Sequence, residues 1–199
     1  MNVDLLIYPV HALFWGSFGL TRSLLRRSVR PAPSEQVEPV TTRSQTAPYS
    51  RALLAVHMLA FGAMYFGVGT AVLPNRVPRL FVGQSVVATL IIALGAWLLC
   101  WTLPHFSSWR FRAKLDEGHQ LATGGPFRFV RHPIYMGLNL LALGTAVWIP
   151  TEILWASLLL VFVGGDLRAR AEEKLLTQVF GDTYSAYCNR TSRFLPGIY

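Results

Sequence analysis

Two polar stretches in the C-terminal half carry the residues that could do chemistry. In the first, Arg131-His132-Pro133-Ile134-Tyr135 stands directly before a long apolar run. In the second, Arg168 and Glu172 are four residues apart, so they share one face if the segment is helical. An imidazole, a phenol, a guanidinium and a carboxylate beside the free N–H groups of a helix start could form a polar pocket at a membrane surface.

Each of these features also has a simpler interpretation. Arg128 and Arg131 could be anchors for lipid headgroups. Glu172 and Glu173 could be solvated surface charges, with Arg168 as an i,i+4 partner. Tyr184 and Tyr187 could hold the last segment at the membrane interface. The functional interpretation therefore depends on the combination of residues and not on any one of them.

The elements that would position these residues are membrane helices. The chain has 199 residues, of which 52% are hydrophobic and 14% charged, a composition typical of a membrane protein. The apolar runs are residues 3–20, 53–73, 80–103, 134–149 and 153–165. We therefore predict an all-α integral membrane protein with about five transmembrane helices, the last two forming a hairpin around Pro150-Thr151-Glu152. His57, inside the second run, predicts a helix–helix hydrogen bond or a functional site.

The basic residues predict how the chain crosses the membrane. With five membrane segments, every Lys and Arg except Arg76 and Arg79 falls on one side. The positive-inside rule then places the N-terminus outside and the C-terminus in the cytoplasm. Such a multi-pass protein would lie in the plasma or inner membrane of a prokaryote, or in the endoplasmic reticulum of a eukaryote.

The charge and the cysteines argue against two other classes of protein. The net charge is +8, but the basic residues lie between apolar runs and form no cluster interleaved with exposed aromatics, so we expect no nucleic-acid partner. Cys100 and Cys188 are far apart and belong to no CxxC pair, so we expect neither a disulfide framework nor a metal site.

The two polar stretches together resemble a known family. EGHQLATGGPFRFVRHPIYMG, followed after the hairpin by RARAEEKLLTQVFGDTYSAY, is similar to the isoprenylcysteine carboxyl methyltransferases. Their wider group includes phospholipid N-methyltransferases and other small membrane methyltransferases. The resemblance covers about residues 97–199, which it implies are a methyltransferase-like catalytic part. Residues 1–96 match only as apolar membrane helices, with a Pro-, Ser- and Thr-rich flexible cytoplasmic loop at about 21–51.

The resemblance implies an enzyme whose cytoplasmic C-terminal part encloses S-adenosyl-L-methionine. It assigns to the cofactor His119, Gln120, Leu121, Ala122, Phe127, His132, Pro133, Ile134, Tyr135 and Glu172. Arg168 matches an arginine assigned to the acceptor side. The Glu172 carboxylate can accept charge-assisted hydrogen bonds from ammonium or hydroxyl groups, and aromatic rings can stack on adenine or face a cation. Phe127 stands where the family usually has a tyrosine, so a ring contact can remain but a hydroxyl hydrogen bond cannot.

The residue types favour one class of methyl acceptor over the others. A carboxylate needs no general base and could be held bidentately by Arg168, whereas an amine or thiol needs a base that the sequence does not offer convincingly. We therefore predict carboxyl O-methylation of a lipophilic, isoprenylcysteine-like acceptor at the bilayer. The alternatives are a phospholipid or small-thiol methyltransferase, an NADPH-dependent membrane reductase of the sterol reductase type, and a non-enzymatic lipid-binding membrane protein.

Overall fold

Five helices make up most of the structure, a computed structural model that describes residues 3–27, 45–46, 49–105, 114–115 and 121–199. The helices are α1 (Ile7–Arg27), α2 (Ser50–Val72), α3 (Gln84–Thr102), α4 (Pro133–Trp148) and α5 (Glu152–Arg190). Two strands of two residues each, β1 (Gln45–Thr46) and β2 (Lys114–Leu115), pair antiparallel. Because the five helices contain most of the described residues and the strands have only two residues each, the predicted all-α architecture is confirmed.

Three of the described helical segments are long and apolar enough to cross a membrane. They span Val3–Leu25, Ser50–Val72 and Gln84–His105, with mean hydropathies of 1.3, 1.7 and 2.3, and α4 is a shorter apolar helix. Many large hydrophobic side chains on these helices are exposed, as expected where the surrounding solvent is lipid. The chain is therefore an all-α membrane protein. Because α1 continues to Arg27, the first loop begins later than the residue 21 expected from the sequence.

Glycines allow α3 and α4 to pack with their backbones close together. A Cβ atom on Gly137 would lie 3.0 Å from the carbonyl oxygen of Gly95. A Cβ atom on Gly144 would lie 2.8 Å from the carbonyl oxygen of Ala88. Small residues at such crossings are characteristic of membrane helix pairs, where packing replaces the hydrophobic effect. This contact fixes the start of α4, and with it the first polar stretch, against α3.

The hairpin between α4 and α5 forms as predicted. Thr151 is the extended residue that precedes α5, and α5 begins at Glu152. The helix then continues for 39 residues, so one element carries both the last apolar run and the second polar stretch. Gly181 interrupts the helical geometry with φ 51° and ψ −124°, but helical structure resumes beyond it to Arg190.

A polar network joins the helix ends opposite the two polar stretches. The Arg79 guanidinium donates to the buried Asp4 carboxylate at 2.6 Å, and the Trp148 indole N–H donates to the same oxygen at 3.2 Å. The Gln84 side-chain amide donates to the Trp148 carbonyl at 2.8 Å. The beginning of the chain, the start of α3 and the end of α4 therefore lie at one end of the bundle. The start of α4, with His132 before it, lies at the other.

Candidate functional site

A turn that begins at a glycine leads the chain into the first polar stretch. Gly125 adopts φ 56°, and a Cβ atom there would lie 2.6 Å from the His105 ring, so only glycine fits both the backbone and the space. A short 3₁₀ turn over Gly125–Arg128 follows and buries Phe127. The close contact with His105 fixes this turn against the end of α3.

The C-terminal tail holds the residues immediately before α4. The Arg131 backbone N–H donates to the Ser192 carbonyl at 2.8 Å, and the His132 N–H donates to the Arg193 carbonyl at 3.2 Å. Pro133 occupies the first position of α4, where its missing N–H costs nothing. His132 is thus fixed at the helix start by a proline on one side and by the tail on the other.

His132 lies between two neighbouring carboxylates of α5. Its Nε2 is 3.3 Å from Glu173 Oε1 and its Nδ1 is 3.5 Å from Glu172 Oε2. The Tyr135 hydroxyl, one turn into α4, donates to Glu172 Oε1 at 2.5 Å. Three of the residues predicted for the cofactor site, His132, Tyr135 and Glu172, therefore meet across the α4–α5 contact.

The two glutamates change the protonation of this group. Burial disfavours the imidazolium of His132, but the hydrogen bonds that its ring donates to Glu172 and Glu173, together with the negative charge of these residues, outweigh burial and raise the pKa of His132. Burial acts in the opposite sense on Glu173, where hydrogen bonds from His132, Arg193 and Arg131 prevail and hold the pKa of the carboxyl far below its usual value. The cluster therefore favours the imidazolium form of His132 beside the ionised form of Glu173.

Glu173 is enclosed by cations. Arg193 binds its carboxylate with two nitrogens, Nε at 3.1 Å and Nη2 at 2.7 Å, and Arg131 Nε donates to it at 2.9 Å. Arg131 also donates to the carbonyls of Cys188 and Thr191. Its side chain is only 12% exposed. The interpretation of Arg131 as a lipid anchor is therefore wrong, because its charge is neutralised inside the protein.

Arg168 belongs to the same region but faces α2. It is buried, its guanidinium carbon lies 5.0 Å from the Tyr135 ring centroid, and its Nη1 lies 3.1 Å from His57 Nδ1. The Tyr135 ring therefore has the Arg168 cation on one face, while its hydroxyl reaches Glu172. Glu172 is itself 26% exposed and engaged by Tyr135 and His132, so it is not a freely solvated charge.

The other predicted residues lie around this centre or outside the described part. Pro133, Ile134 and Phe127 are buried, Leu121 packs with Phe180, Tyr184 and Tyr187, and Ala122 is half-buried. His119 and Gln120 lie outside the described residues. The interpretation of Tyr184 and Tyr187 as interface anchors is wrong, because both are buried and the Tyr187 hydroxyl donates to the Phe127 carbonyl at 2.7 Å.

Sequence reasoning missed several residues that complete the cluster. Glu173 was adjacent to a predicted residue and Arg193 lies near the C-terminus, and neither carried a distinguishing sequence signal. Asn139 stands in the apolar run of α4, where a polar side chain is itself a sequence signal of a functional or packing role. His57 stands out in its apolar run, but the sequence does not indicate that Arg168 is its partner. Among the described residues, no group of three or more His, Cys, Asp and Glu could hold a metal ion.

The sequence of the chain matches that of known methyltransferases. The family model for phospholipid methyltransferases matches residues 84–183. The protein-S-isoprenylcysteine O-methyltransferase of Schizosaccharomyces pombe is 33% identical over 89 residues, 43% of this chain and 37% of that protein. The protein of the same name from Saccharomyces cerevisiae is 28% identical over 120 residues, 57% of this chain and 49% of that protein.

A thiol methyltransferase is also similar. Methanethiol S-methyltransferase 1 of Bradyrhizobium diazoefficiens is 36% identical over 72 residues, 35% of this chain and 24% of that protein. The chain thus spans about half or less of the length of these relatives. The family match includes His132, Arg168 and Glu172 and extends over half of the chain. The resemblance noted in the sequence is therefore confirmed, and the chain belongs to the phospholipid methyltransferase family.

Proposed function

We propose that this protein is an S-adenosyl-L-methionine-dependent membrane methyltransferase that O-methylates the carboxylate of a lipophilic, isoprenylcysteine-like acceptor. The observation that carries the proposal is the cluster of His132, Tyr135 and Glu172 at the α4–α5 contact, with Arg168 on the other side of the Tyr135 ring. This arrangement offers the Glu172 carboxylate to one ligand and the Arg168 guanidinium to another, and the Tyr135 side chain contacts both groups. The family membership supports a membrane methyltransferase, and the similarity to two protein-S-isoprenylcysteine O-methyltransferases favours this acceptor.

The side chains present fit the cofactor's chemistry. S-adenosyl-L-methionine carries an ammonium group and ribose hydroxyls, which are donors, and Glu172 is the partly exposed acceptor of the cluster, at 26% against 13% for Glu173. The Tyr135 ring already faces one cation, which is the interaction that a sulfonium also makes. We assign to the cofactor the residues named from the sequence: His119, Gln120, Leu121, Ala122, Phe127, His132, Pro133, Ile134, Tyr135 and Glu172.

The reaction asks for alignment and exclusion of water more than for proton transfer. The bound cofactor supplies an activated methyl group. Glu172 and His132 would orient it, Arg168 would hold the acceptor carboxylate, and Tyr135, which contacts both Glu172 and Arg168, would line the site beside the point where the two ligands meet. A carboxylate is already ionised near neutral pH, so no residue has to remove a proton from it. Phe194, buried against His132, helps to keep water from this side of the cluster.

The bilayer is part of the proposed environment. We place the N-terminus outside and the C-terminus in the cytoplasm, because all Lys and Arg except Arg76 and Arg79 then lie on the cytoplasmic side. The Asp4–Arg79–Trp148 network would mark the outer end of the bundle and His132 the cytoplasmic end. A lipophilic acceptor would then reach Arg168 from the membrane.

Calorimetry on the purified full-length protein tests the cofactor half of this proposal. We expect binding of S-adenosylhomocysteine and not of NADPH. The His132→Ala and Glu172→Ala substitutions should each weaken that binding by about 10- to 100-fold, since each removes a hydrogen bond to a charged group. Arg168→Ala should spare cofactor binding and reduce turnover. Asp182→Ala, an exposed acid of α5, is the matched control.

The result that contradicts the cofactor assignment is wild-type affinity in both the His132 and the Glu172 variants. Binding of NADPH without S-adenosylhomocysteine would indicate a reductase. Binding of neither would indicate a lipid-binding protein without this chemistry.

Thiol S-methylation is the second candidate, favoured by the similarity to methanethiol S-methyltransferase 1. Incubation with a radiolabelled methyl donor and native membrane extract separates the two. A methyl ester releases labelled methanol in mild base, whereas a methyl thioether resists it. Base-labile label in a lipid-extractable product supports carboxyl methylation, and base-stable label supports the thiol candidate.

A further inference from the structure

His57 occupies an unusual position between α2 and α5. Its side chain is 1% exposed although it is polar and lies in an apolar helix. Two consecutive glycines of α5 face it. A Cβ atom on Gly164 would lie 3.4 Å from the His57 Cα, and one on Gly165 would lie 3.8 Å from the His57 Cε1. The absence of side chains at Gly164 and Gly165 therefore leaves room beside the imidazole.

Arg168 determines which nitrogen of His57 carries the proton. Arg168 Nη1 lies 3.1 Å from His57 Nδ1. A guanidinium can only donate hydrogen bonds, so Nδ1 is the acceptor and the ring hydrogen is on Nε2. A second proton on the ring would bring two cations together at this distance. His57 is therefore a neutral imidazole with an N–H donor on Nε2.

That donor has no partner in the described part of the chain. His57 Nε2 and Asn139 Oδ1 are both buried and lack hydrogen-bond partners among the described residues. Both residues face the same point, because a Cβ atom on Gly165 would lie 3.8 Å from His57 Cε1 and 4.0 Å from Asn139 Oδ1. A buried donor and a buried acceptor left open destabilise the protein unless a ligand satisfies them. The gap beside Gly165 therefore presents one donor and one acceptor to a ligand.

The gap lies on the acceptor side of the proposed site. The His57 and Tyr135 ring centroids are 6.1 Å apart, and the Cβ atom of Tyr135 would also be 3.8 Å from a Cβ atom on Gly165. Tyr135 thus separates His57 from Glu172, to which its hydroxyl donates. A group held by His57 would be next to Arg168, and Tyr135 would lie beside both that group and the proposed cofactor residue Glu172.

We propose that His57 and Asn139 determine acceptor specificity by recognising an N-acylated α-amino carboxylate. The His57 Nε2–H donates to one carboxylate oxygen, and Asn139 Oδ1 accepts the neighbouring amide N–H. This inference rests on the proposed methyltransferase function. It places the recognition in α2 and α4, outside the RHPxY and EE segments that suggested the activity.

The chemistry balances without a base. The other carboxylate oxygen forms a bond to the methyl carbon, the bond between that carbon and the sulfonium sulfur breaks, and the electron pair goes to sulfur. No proton is released. A thiol or an ammonium acceptor would have to lose a proton, and an imidazole that already carries its hydrogen on Nε2 cannot take it there.

Three probes test the recognition on the full-length protein, purified in detergent and saturated with S-adenosylhomocysteine. They are an N-acetylated S-prenylcysteine with a free carboxylate, its primary carboxamide, and its analogue with a methylated amide nitrogen. Calorimetry measures the affinity of each. We expect the wild-type protein to bind the carboxylate roughly 10- to 100-fold more tightly than the carboxamide, since hydrogen bonds to charged groups are the stronger ones. It should also reject the N-methylated analogue.

The variants separate recognition from packing. His57→Phe keeps the volume and removes the donor, so the preference for the carboxylate should fall roughly ten-fold. His57→Gln, whose amide can accept from Arg168 and donate to the ligand, should restore most of it. Asn139→Leu should abolish only the discrimination against the N-methylated analogue. S-adenosylhomocysteine binding should be unchanged in all three.

Two glycine substitutions test the inference without changing His57. Gly165→Ala places one methyl group in the gap at ordinary contact distance, so it should weaken binding of the carboxylate and carboxamide probes without disturbing the helix. Gly69→Ala, whose Cβ atom meets nothing within 4 Å, is the control and should match the wild type.

Wild-type preference in His57→Phe, or wild-type probe affinity in Gly165→Ala, would overturn the inference. Binding of S-adenosylhomocysteine without either cysteine probe would overturn it too, while leaving the cofactor half of the proposed function intact. Failure of the wild-type protein to bind S-adenosylhomocysteine would overturn the proposed function, and the inference with it.

Discussion

His11 and His57 are both histidines buried in apolar helices, but their surroundings differ. His11 Nδ1 lies 3.2 Å from the Tyr65 hydroxyl and its Nε2 lies 3.1 Å from the Thr145 hydroxyl, so both nitrogens are engaged. His57 has one nitrogen on Arg168 and the other open. A polar side chain whose hydrogen bonds are complete holds helices together, whereas an incomplete one is available to a ligand.

The same contrast separates two neighbouring residues of α5. Glu173 is satisfied by Arg131, Arg193 and His132, while Glu172 is twice as exposed and is engaged by Tyr135 and His132. Consecutive residues of a helix point about 100° apart, so one backbone segment can present a structural and a functional carboxylate. We therefore expect substitution of Glu173 to lower stability more, and substitution of Glu172 to lower cofactor binding more.

Glu173→Gln should give the largest loss of stability. The substitution removes the carboxylate that neutralises Arg131 and that shares the neutralisation of Arg193 with Asp166, and removing one partner of a buried ion pair leaves the other charge uncompensated. Because the carboxylate is 13% exposed, we expect about 2–4 kcal/mol, slightly below the range for fully buried pairs. Thermal unfolding in detergent measures the loss. Glu172→Gln is the matched control and should lose less stability but more S-adenosylhomocysteine affinity. Equal losses of stability would remove the distinction between the two residues.

The pH dependence of stability should reflect the His132 cluster. The pKa of His132 is raised from 6.5, so its contribution is complete below pH 6.5 and is lost as the pH rises through the folded-state value. The pKa of Glu173 is lowered from 4.5, so its contribution is complete above pH 4.5 and is lost as the pH falls. These two groups therefore stabilise the protein most between pH 4.5 and 6.5.

The His132→Asn variant isolates the alkaline side of this profile. Melting temperatures measured across the pH range should fall above pH 6.5 in the wild-type protein and less steeply in the variant. The acidic side should become shallower but should persist, because His132 is one of the groups that lower the pKa of Glu173 and the hydrogen bonds from Arg193 and Arg131 remain in the variant. Parallel profiles above pH 6.5 would show that the His132 charge does not contribute.

The sequence predicted the elements better than the contacts within the site. Apolar runs predicted the helices and the hairpin, because a helix in lipid has to satisfy its own backbone groups and so needs a long apolar stretch. The RHPxY and EE segments predicted that His132, Tyr135 and Glu172 belong together. The sequence did not indicate that Arg193 would pair with Glu173, since a tail can fold back in many ways and charge alone does not select a partner.

The Arg131 anchor failed for a related reason. A basic residue before an apolar run is equally typical of a lipid contact and of an internal ion pair, and the deciding partner, Glu173, is 42 positions away in the chain. His57 shows the same limit inside the membrane. Its apolar neighbours indicated that it needed a partner, but the identity of that partner depends on how α2 packs against α5.

Thr145→Val should give the smallest effect and tests the structural histidine. The Thr145 hydroxyl donates to the Leu141 carbonyl at 2.7 Å and so accepts from His11 Nε2, which the substitution leaves without its partner. Hydrogen bonds between membrane helices contribute about 0.6 kcal/mol on average, so we expect a loss of that size in thermal unfolding. Ser157→Ala removes a hydroxyl that donates only to its own helix at the Ile153 carbonyl, so it controls for the loss of the hydroxyl itself. Because His11 has no open nitrogen, S-adenosylhomocysteine and prenylcysteine binding should be unchanged in Thr145→Val. A loss of binding there would mean that completeness of hydrogen bonding does not separate structural from functional histidines in this protein.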